Sequence, residues 1–159
     1  MRSAPITLRP VVESDLPVFF AQQSDAEARR MAAFCSAELG DLAAFLVKWR
    51  SMLSDEAVLC RTIEHAGVVA GNVGCFMQFD QPSIGYWLGR SYWGQGIATR
   101  AVDAFIGSID LRPLYARVVA DNIGSLRVLE RCGFRIIGTE RDFAPARDAE
   151  VEEFLLELR

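Results

Sequence analysis

The sequence predicts a single α/β layer domain, and three observations carry that prediction. About seven stretches alternate apolar and polar residues at the period of a strand. Helix-period stretches fall between them, and no linker, internal repeat or low-complexity tract interrupts the 159 residues. A chain of that length buries a full core without metal or disulfide help.

Ile6-Thr7-Leu8-Arg9 alternates and opens the chain as a strand. Ser14 or Asp15 then caps a helix that has Pro17 in its first turn and carries Leu16, Phe19 and Phe20. A short helical piece is expected over Ala26 to Phe34. After Gly40, Asp41 caps another that holds Leu42, Phe45, Leu46, Trp49 and Leu53. This region serves either as core or as one wall of a substrate pocket, so Phe34, Phe45 and Trp49 carry both readings. Val58 to Ile63 and Val68 to Phe79 read as a hairpin around His65-Ala66-Gly67. Gly71 and Gly74 inside its second strand signal a bulge or a close backbone approach. His65, the one histidine, falls at that exposed turn and reads as solvated rather than catalytic. Asp80-Gln81-Pro82 turns the chain into a strand around Ile84. Leu114 to Ala120, Phe134 to Thr139 and Val151 to Leu158 are the remaining strands. Asp121 or Asn122 caps a short helix that Gly133 ends in the left-handed conformation, and Phe143 to Ala149 reads as a loop with Pro145.

The stretch from Ile84 to Phe105 organises the rest. A strand with Ile84, Tyr86 and Leu88 on one face breaks into Trp93-Gly94-Gln95-Gly96. A helix follows with Ile97, Ala98, Ala101, Val102, Phe105 and Ile106 on its apolar side. Strand, glycine turn and helix N-terminus gather unpaired N–H groups where an anion can sit. Gly94 and Gly96 remove the Cβ atoms that would hold a phosphate off the main chain. This is a diphosphate cradle in functional terms, although a lone G-x-G equally serves a tight turn that binds nothing. Ile97 stands where a P-loop has lysine, and the G-x-G-x-x-G of a dinucleotide fold is absent, so neither of those activities is supported.

Composition narrows the class. Apolar residues at 51% and charged ones at 24% describe a globular chain. A formal charge of -4 offers no basic surface, so no nucleic-acid partner is expected. Lys48 is the only lysine, and arginine suits local phosphate contacts. Cys35, Cys60, Cys75 and Cys132 lack C-x-x-C spacing and read as reduced, buried thiols of a cytoplasmic protein, with no metal site expected. Met1-Arg2-Ser3-Ala4-Pro5 leads into an amphipathic strand rather than a leader, and no run reaches membrane-spanning length.

Two motifs carry a family resemblance. Tyr86-Trp87-Leu88 with Tyr92-Trp93-Gly94-Gln95-Gly96-Ile97-Ala98-Thr99 resembles the acyl-CoA loop of the GNAT superfamily of N-acyltransferases. Asn122-Ile123-Gly124-Ser125 with Val128-Leu129-Glu130-Arg131-Cys132-Gly133-Phe134 resembles the second signature of its ribosomal-protein N-terminal acetyltransferase (Rim-type) branch. The resemblance implies one domain over residues 1–159, with a mixed, mostly antiparallel sheet splayed between its fourth and fifth strands and helices on both faces. It further implies acetyl-CoA as cosubstrate and a primary amine as acceptor, either a protein N-terminal α-amine or a small molecule. Direct attack in a ternary complex follows from the family mechanism. A non-catalytic acyl-CoA sensor of the same fold is the alternative, and a monomer or homodimer is expected.

By the same resemblance the cosubstrate site comprises Trp87, Leu88, Gly89, Trp93, Gly94, Gln95, Gly96, Ile97, Ala98, Thr99, Asn122 and Arg131. A free N–H near Leu88 or Gly89 is expected to polarise the thioester. Asn122 is expected to hold the pantetheine arm. Many relatives place a tyrosine seven residues after that asparagine; here the position is Leu129, and Ser125 takes the place of the Rim-type acid. The base is open: Ser83 stands where relatives have glutamate, and Glu64, Asp80, Glu140 and Asp142 are other candidates. A lysine-like amine (pKa ~10.4) is under ~0.1% neutral at pH 7, whereas an α-amine (~7.7–8.0) is ~10–15% neutral. A site without a strong base therefore favours α-amines.

Overall fold

The structure, a computed structural model, describes residues 4–35 and 39–159. The reading of residues 1–3 as leader-free lies outside them. Seven strands among the described residues form one sheet in the order β1-β2-β3-β4-β5-β7-β6. They are β1 (Ile6–Pro10), β2 (Leu59–His65), β3 (Val68–Gln78), β4 (Gln81–Leu88), β5 (Leu114–Val119), β6 (Arg135–Ala144) and β7 (Ala149–Leu158). The helices are α1 (Leu16–Gln23), α2 (Ala26–Ala32), α3 (Leu42–Ser54), α4 (Ile97–Gly107) and α5 (Ile123–Arg131).

Every neighbouring pair of strands runs antiparallel except β4 and β5, which are parallel and joined at a single register pair, Ser83 with Tyr115. Beyond that pair the two strands part. The expected mixed sheet with a gap between its fourth and fifth strands is therefore present.

Two apolar layers sandwich the sheet. On one face Ile97, Ala101, Val102, Phe105 and Ile106 of α4 and Leu129 of α5 pack on Val73, Ile84, Leu88, Leu114, Ala116 and Leu156. On the other, Leu16 and Phe19 of α1 meet Phe45 and Trp49 of α3, with the Phe19 and Trp49 rings 5.0 Å apart. Phe45 and Trp49 are thus buried in this layer, with Trp49 also lining a cavity, while Phe34 is 36% exposed.

Local chemistry explains most element ends. Asp25 and Asp41 cap α2 and α3 by accepting from the Ala28 and Ala44 N–H groups at 2.9 and 2.7 Å. Asn122 rather than Asp121 caps α5, accepting from Ser125 N–H. Asp15 does not cap α1 with its side chain. Its carboxylate, 2% exposed, instead takes both Nη atoms of Arg9 at 2.7 and 2.8 Å, the Thr62 hydroxyl at 2.7 Å and the Val12 N–H at 2.9 Å. A buried carboxylate needs those donors more than the helix does.

Three boundaries differ from the sequence reading. His65 is the half-buried last residue of β2, edge-on to Tyr92, because Ala66 and Gly67, both at positive φ, make the turn alone. Phe79 and Asp80 likewise form a two-residue turn at positive φ, so β4 begins at Gln81. Finally, the segment Phe143 to Ala149 is mostly strand: β6 and β7 pair from Ala144↔Ala149 onward. Both strands carry mixed charged residues on exposed faces, which hides their alternation.

Gly71 marks the close approach expected within β3. A Cβ there would stand 2.0 Å from the Trp87 carbonyl oxygen. Just before it, Ile63 pairs with Gly71 and Glu64 with Val69, which makes Ala70 the bulged residue.

Gly71→Ala should therefore cost about 3 kcal/mol or more, since a backbone carbonyl has to move; a denaturant midpoint reads it. Burial pushes the Asp15 carboxyl up, but the Arg9, Val12 and Thr62 bonds outweigh it and hold the group below the ordinary value. Its stabilisation is thus complete above the unfolded value of ~3.9 and is lost as pH falls through the lower folded value. Asp15→Asn should lower stability by about 2 kcal/mol at pH 7, discounted for the partial exposure of Arg9, and flatten the acid limb of the unfolding curve between about pH 5 and 2.

Candidate active site

The gap between β4 and β5 opens a cavity of about 590 Å³. β4 supplies one wall through Ile84 to Leu88, α5 the other, and Ala28, Met31 and Ala32 of α2 the rim. Its floor is the turn into α4. There Gly94 and Gly96 sit at φ +74 and +77, and a Cβ on either would meet nothing within 4 Å. The left-handed backbone favours glycine at both positions, and the space beside them is open. The first intrahelical bond of α4 runs from Arg100 N–H to the Gly96 carbonyl. The N–H groups of Ile97, Ala98 and Thr99 have no partner within the helix, and no side chain caps it. Trp93 fixes the loop by donating its indole N–H to the Leu88 carbonyl at 2.9 Å.

Most of the residues expected from sequence converge here. Trp87, Leu88, Trp93, Gly94, Gly96, Ile97, Ala98, Thr99, Asn122, Ser125 and Arg131 all line the cavity. Two do not. Gln95 is exposed and donates its side-chain amide to the Ser91 carbonyl at 2.9 Å. Gly89 N–H donates to the Ala70 carbonyl at 2.8 Å, so it is not the free donor expected at the end of β4. The bulge at Ala70 offers that carbonyl, which no sequence period announces.

Tyr86 stands in the first motif, but the sequence assigned it no role at the site. Its hydroxyl lies 2.7 Å from Ser125 Oγ across the cavity. Burial pushes the phenol up to about 12, against the opposing pull of the Ser125 hydrogen bond. The group stays protonated at neutral pH, and as the more acidic hydroxyl it is the better donor of the two. Leu129, where relatives have their tyrosine, is 2% exposed and belongs to the core. A phenol therefore reaches the same cleft from β4 instead of α5. The signal was its place on the strand face shared with Ile84 and Leu88.

The carboxylates offered as bases stand elsewhere. Glu64 pairs with Arg9, Glu140 with Arg117, and Asp80 sits in the β3–β4 turn. Asp142 is exposed on β6. Ser83 is buried and donates to the Gln81 carbonyl at 3.2 Å. Among the described residues no Asp or Glu lines this cavity, whereas Arg117, Arg127 and Arg131 do. Arg127 is an addition to the sequence set. No group of three or more His, Cys, Asp or Glu able to hold a metal occurs among the described residues, and no helix there is long and apolar enough to cross a membrane.

The comparisons bear on the fold and the family. The family profile described as "Acetyltransferase (GNAT) domain" matches residues 6–135. The chain is 31% identical over 104 residues to the "Uncharacterized N-acetyltransferase p20" of Bacillus licheniformis, a match covering 60% of this chain and 58% of that protein's length. A solved ribosomal-protein-alanine N-acetyltransferase from Brucella melitensis superposes with a TM-score of 0.81 at 20% identity, covering 95% of this chain and 98% of that one. A spermidine N-acetyltransferase from Vibrio cholerae, solved with CoA and spermine, gives 0.80 at 17% identity over 96% and 95%. These superpositions establish the fold, and the profile match over most of the chain establishes the family. The chain belongs to the acetyltransferase (GNAT) family, in which acetyl-CoA is the cosubstrate.

Proposed function

We propose that the chain is an N-acetyltransferase of the Rim-type branch that acetylates an α-amine by direct attack in a ternary complex. The observation that carries the reading is the unpartnered α4 N-terminus, flanked by two left-handed glycines at the floor of an arginine-lined gap. The N–H groups of Ile97, Ala98 and Thr99 suit a diphosphate, and the helix dipole adds to their pull. Arg127 and Arg131 supply charge at the same cavity.

Bound acetyl-CoA supplies a thioester carbonyl; as the amine nitrogen bonds to its carbon, the C–S bond breaks and the sulfur leaves as thiolate. The chain's tasks are to hold the two reactants and to manage charge on that sulfur. Either hydroxyl can donate in the Tyr86–Ser125 bond; with the more acidic Tyr86 as donor to Ser125 Oγ, the serine hydrogen is free to face the leaving sulfur. Complete proton delivery from Tyr86 is uphill, because its value of about 12 exceeds the ~8.5 of a cysteine-like thiol. Ser125 thus acts as a hydrogen-bond donor to the thiolate, and Tyr86 positions it. One ammonium proton leaves before attack, and the nitrogen sheds a second once the C–N bond has formed, both to solvent, since among the described residues no carboxylate lines the cavity. That requirement selects amines of low pKa, hence the α-amine.

Calorimetry should register CoA binding to the purified protein. Thiol release from acetyl-CoA should be faster with peptide α-amines than with matched peptides offering only a lysine side chain. Absence of CoA heat overturns the family site; CoA heat without turnover on any amine leaves the sensor reading in its place. Ser125→Ala should lower kcat by about 10- to 100-fold with CoA affinity intact. Tyr86→Phe should cost less, and the double variant should be no slower than Ser125→Ala alone, the signature of two residues acting as one unit.

A further inference from the structure

A second cavity, of about 180 Å³, lies on the opposite face of the sheet, between α3 and strands β2 to β4. Its walls include Trp49 and Met52 of α3, Phe76 of β3 and Trp87 of β4. Gly85, Tyr86 and Trp87 line both cavities, so the same three residues of β4 form a common wall. Among the described residues, none that lines the smaller one is charged. Burial pushes the Cys60 thiol on its wall up to about 11, so that group too is neutral at physiological pH.

Among the described residues, one buried side-chain nitrogen on its wall has no partner. Asn72, 8% exposed, lies on β3 between Thr62 and Trp87, and its Nδ2 makes no hydrogen bond. The other buried side-chain atom without a partner among the described residues, Gln22 Oε1, belongs to a residue outside this lining. A buried amide nitrogen left unpaired is costly, and the chain bears that cost at a cavity wall.

We infer that this cavity is the acceptor subsite, and that Asn72 donates a hydrogen bond to a carbonyl oxygen of a neutral, carbonyl-bearing α-amine. The inference rests on the N-acetyltransferase reading above. Peptide N-termini and amino-acid amides carry a carbonyl one carbon away from the amine, which suits a donor beside the common wall. The aromatic walls accept an apolar side group, and a cavity of about 150 Å³ is enough to hold benzene. A polyamine is disfavoured, because its second ammonium would enter a space with no carboxylate to meet it.

The test uses the purified protein saturated with CoA and reads binding through the fluorescence of its tryptophans, two of which, Trp49 and Trp87, line the cavity. Phenylalaninamide should bind about tenfold tighter than phenethylamine, which lacks the carboxamide, and spermidine should not compete. Asn72→Leu should erase that difference while CoA affinity stays unchanged. Asn72→Asp, should the leucine variant not fold, should reverse the preference toward phenethylamine. Equal affinity for the two ligands in the unmodified protein, or an unchanged preference in the variants, overturns the subsite whether or not turnover is seen. A carbonyl preference that depends on Asn72 upholds it even where no amine is acetylated, an outcome that would instead sink the catalytic reading.

Discussion

The site depends on a constraint on backbone pairing: β4 and β5 share one register pair, Ser83 with Tyr115, and then diverge. A continuous ladder would satisfy the facing amides and carbonyls and close the sheet. Parting the strands instead creates a gap lined by main chain and by side chains that include Tyr86, Trp87, Arg117 and Arg131. What holds the gap open is packing on either side. α4 and α5 anchor one layer, and the aromatic pairing of α1 with α3 anchors the other. β5 is kept in place from beyond by six register pairs with β7.

The same parting explains the electrostatics. Positive groups gather along the larger cavity as arginines and a helix N-terminus, while the carboxylates near it are committed to partners. Glu140 and Glu153 both accept from Arg117 Nη1, at 2.8 and 3.0 Å. Burial raises Glu153, and the Arg117 bond pulls it back. Asp121 is likewise held by Arg147 through two bonds, at 2.7 and 2.8 Å. Such pairing keeps negative charge off a wall that faces an anionic cosubstrate.

The larger cavity was readable in the sequence because its parts are local. Gly94, Gly96, Asn122 and Ser125 lie within short motifs whose backbone geometry follows from residue type. The helix faces were readable for the same reason. What escaped depends on contacts distant along the chain. Tyr86 meets Ser125 across 39 residues, and Asn72 becomes unpaired only once α3 covers β3. The loss of Gly89 as a donor comes from a bulge at Ala70, which a period-two reading passes over. Asp15 looked like a cap because its spacing to Pro17 fits one, yet the ion pair with the half-buried Arg9 is a stronger claim on its oxygens. The charged hairpin of β6 and β7 was missed at its tip because both of its faces carry polar residues.

The common wall of Gly85, Tyr86 and Trp87 divides the molecule's freedom to evolve. With the larger cavity taken as the proposed CoA site and the smaller as the inferred acceptor subsite, a change on β4 would be felt by both reactants at once, whereas Met52, Val58 and Phe76 line only the smaller chamber. Selection can thus retune what is modified through those outlying positions, leaving the carrier's berth untouched. The strand between the chambers behaves as a fixed hub around which new acceptor tastes can be traded.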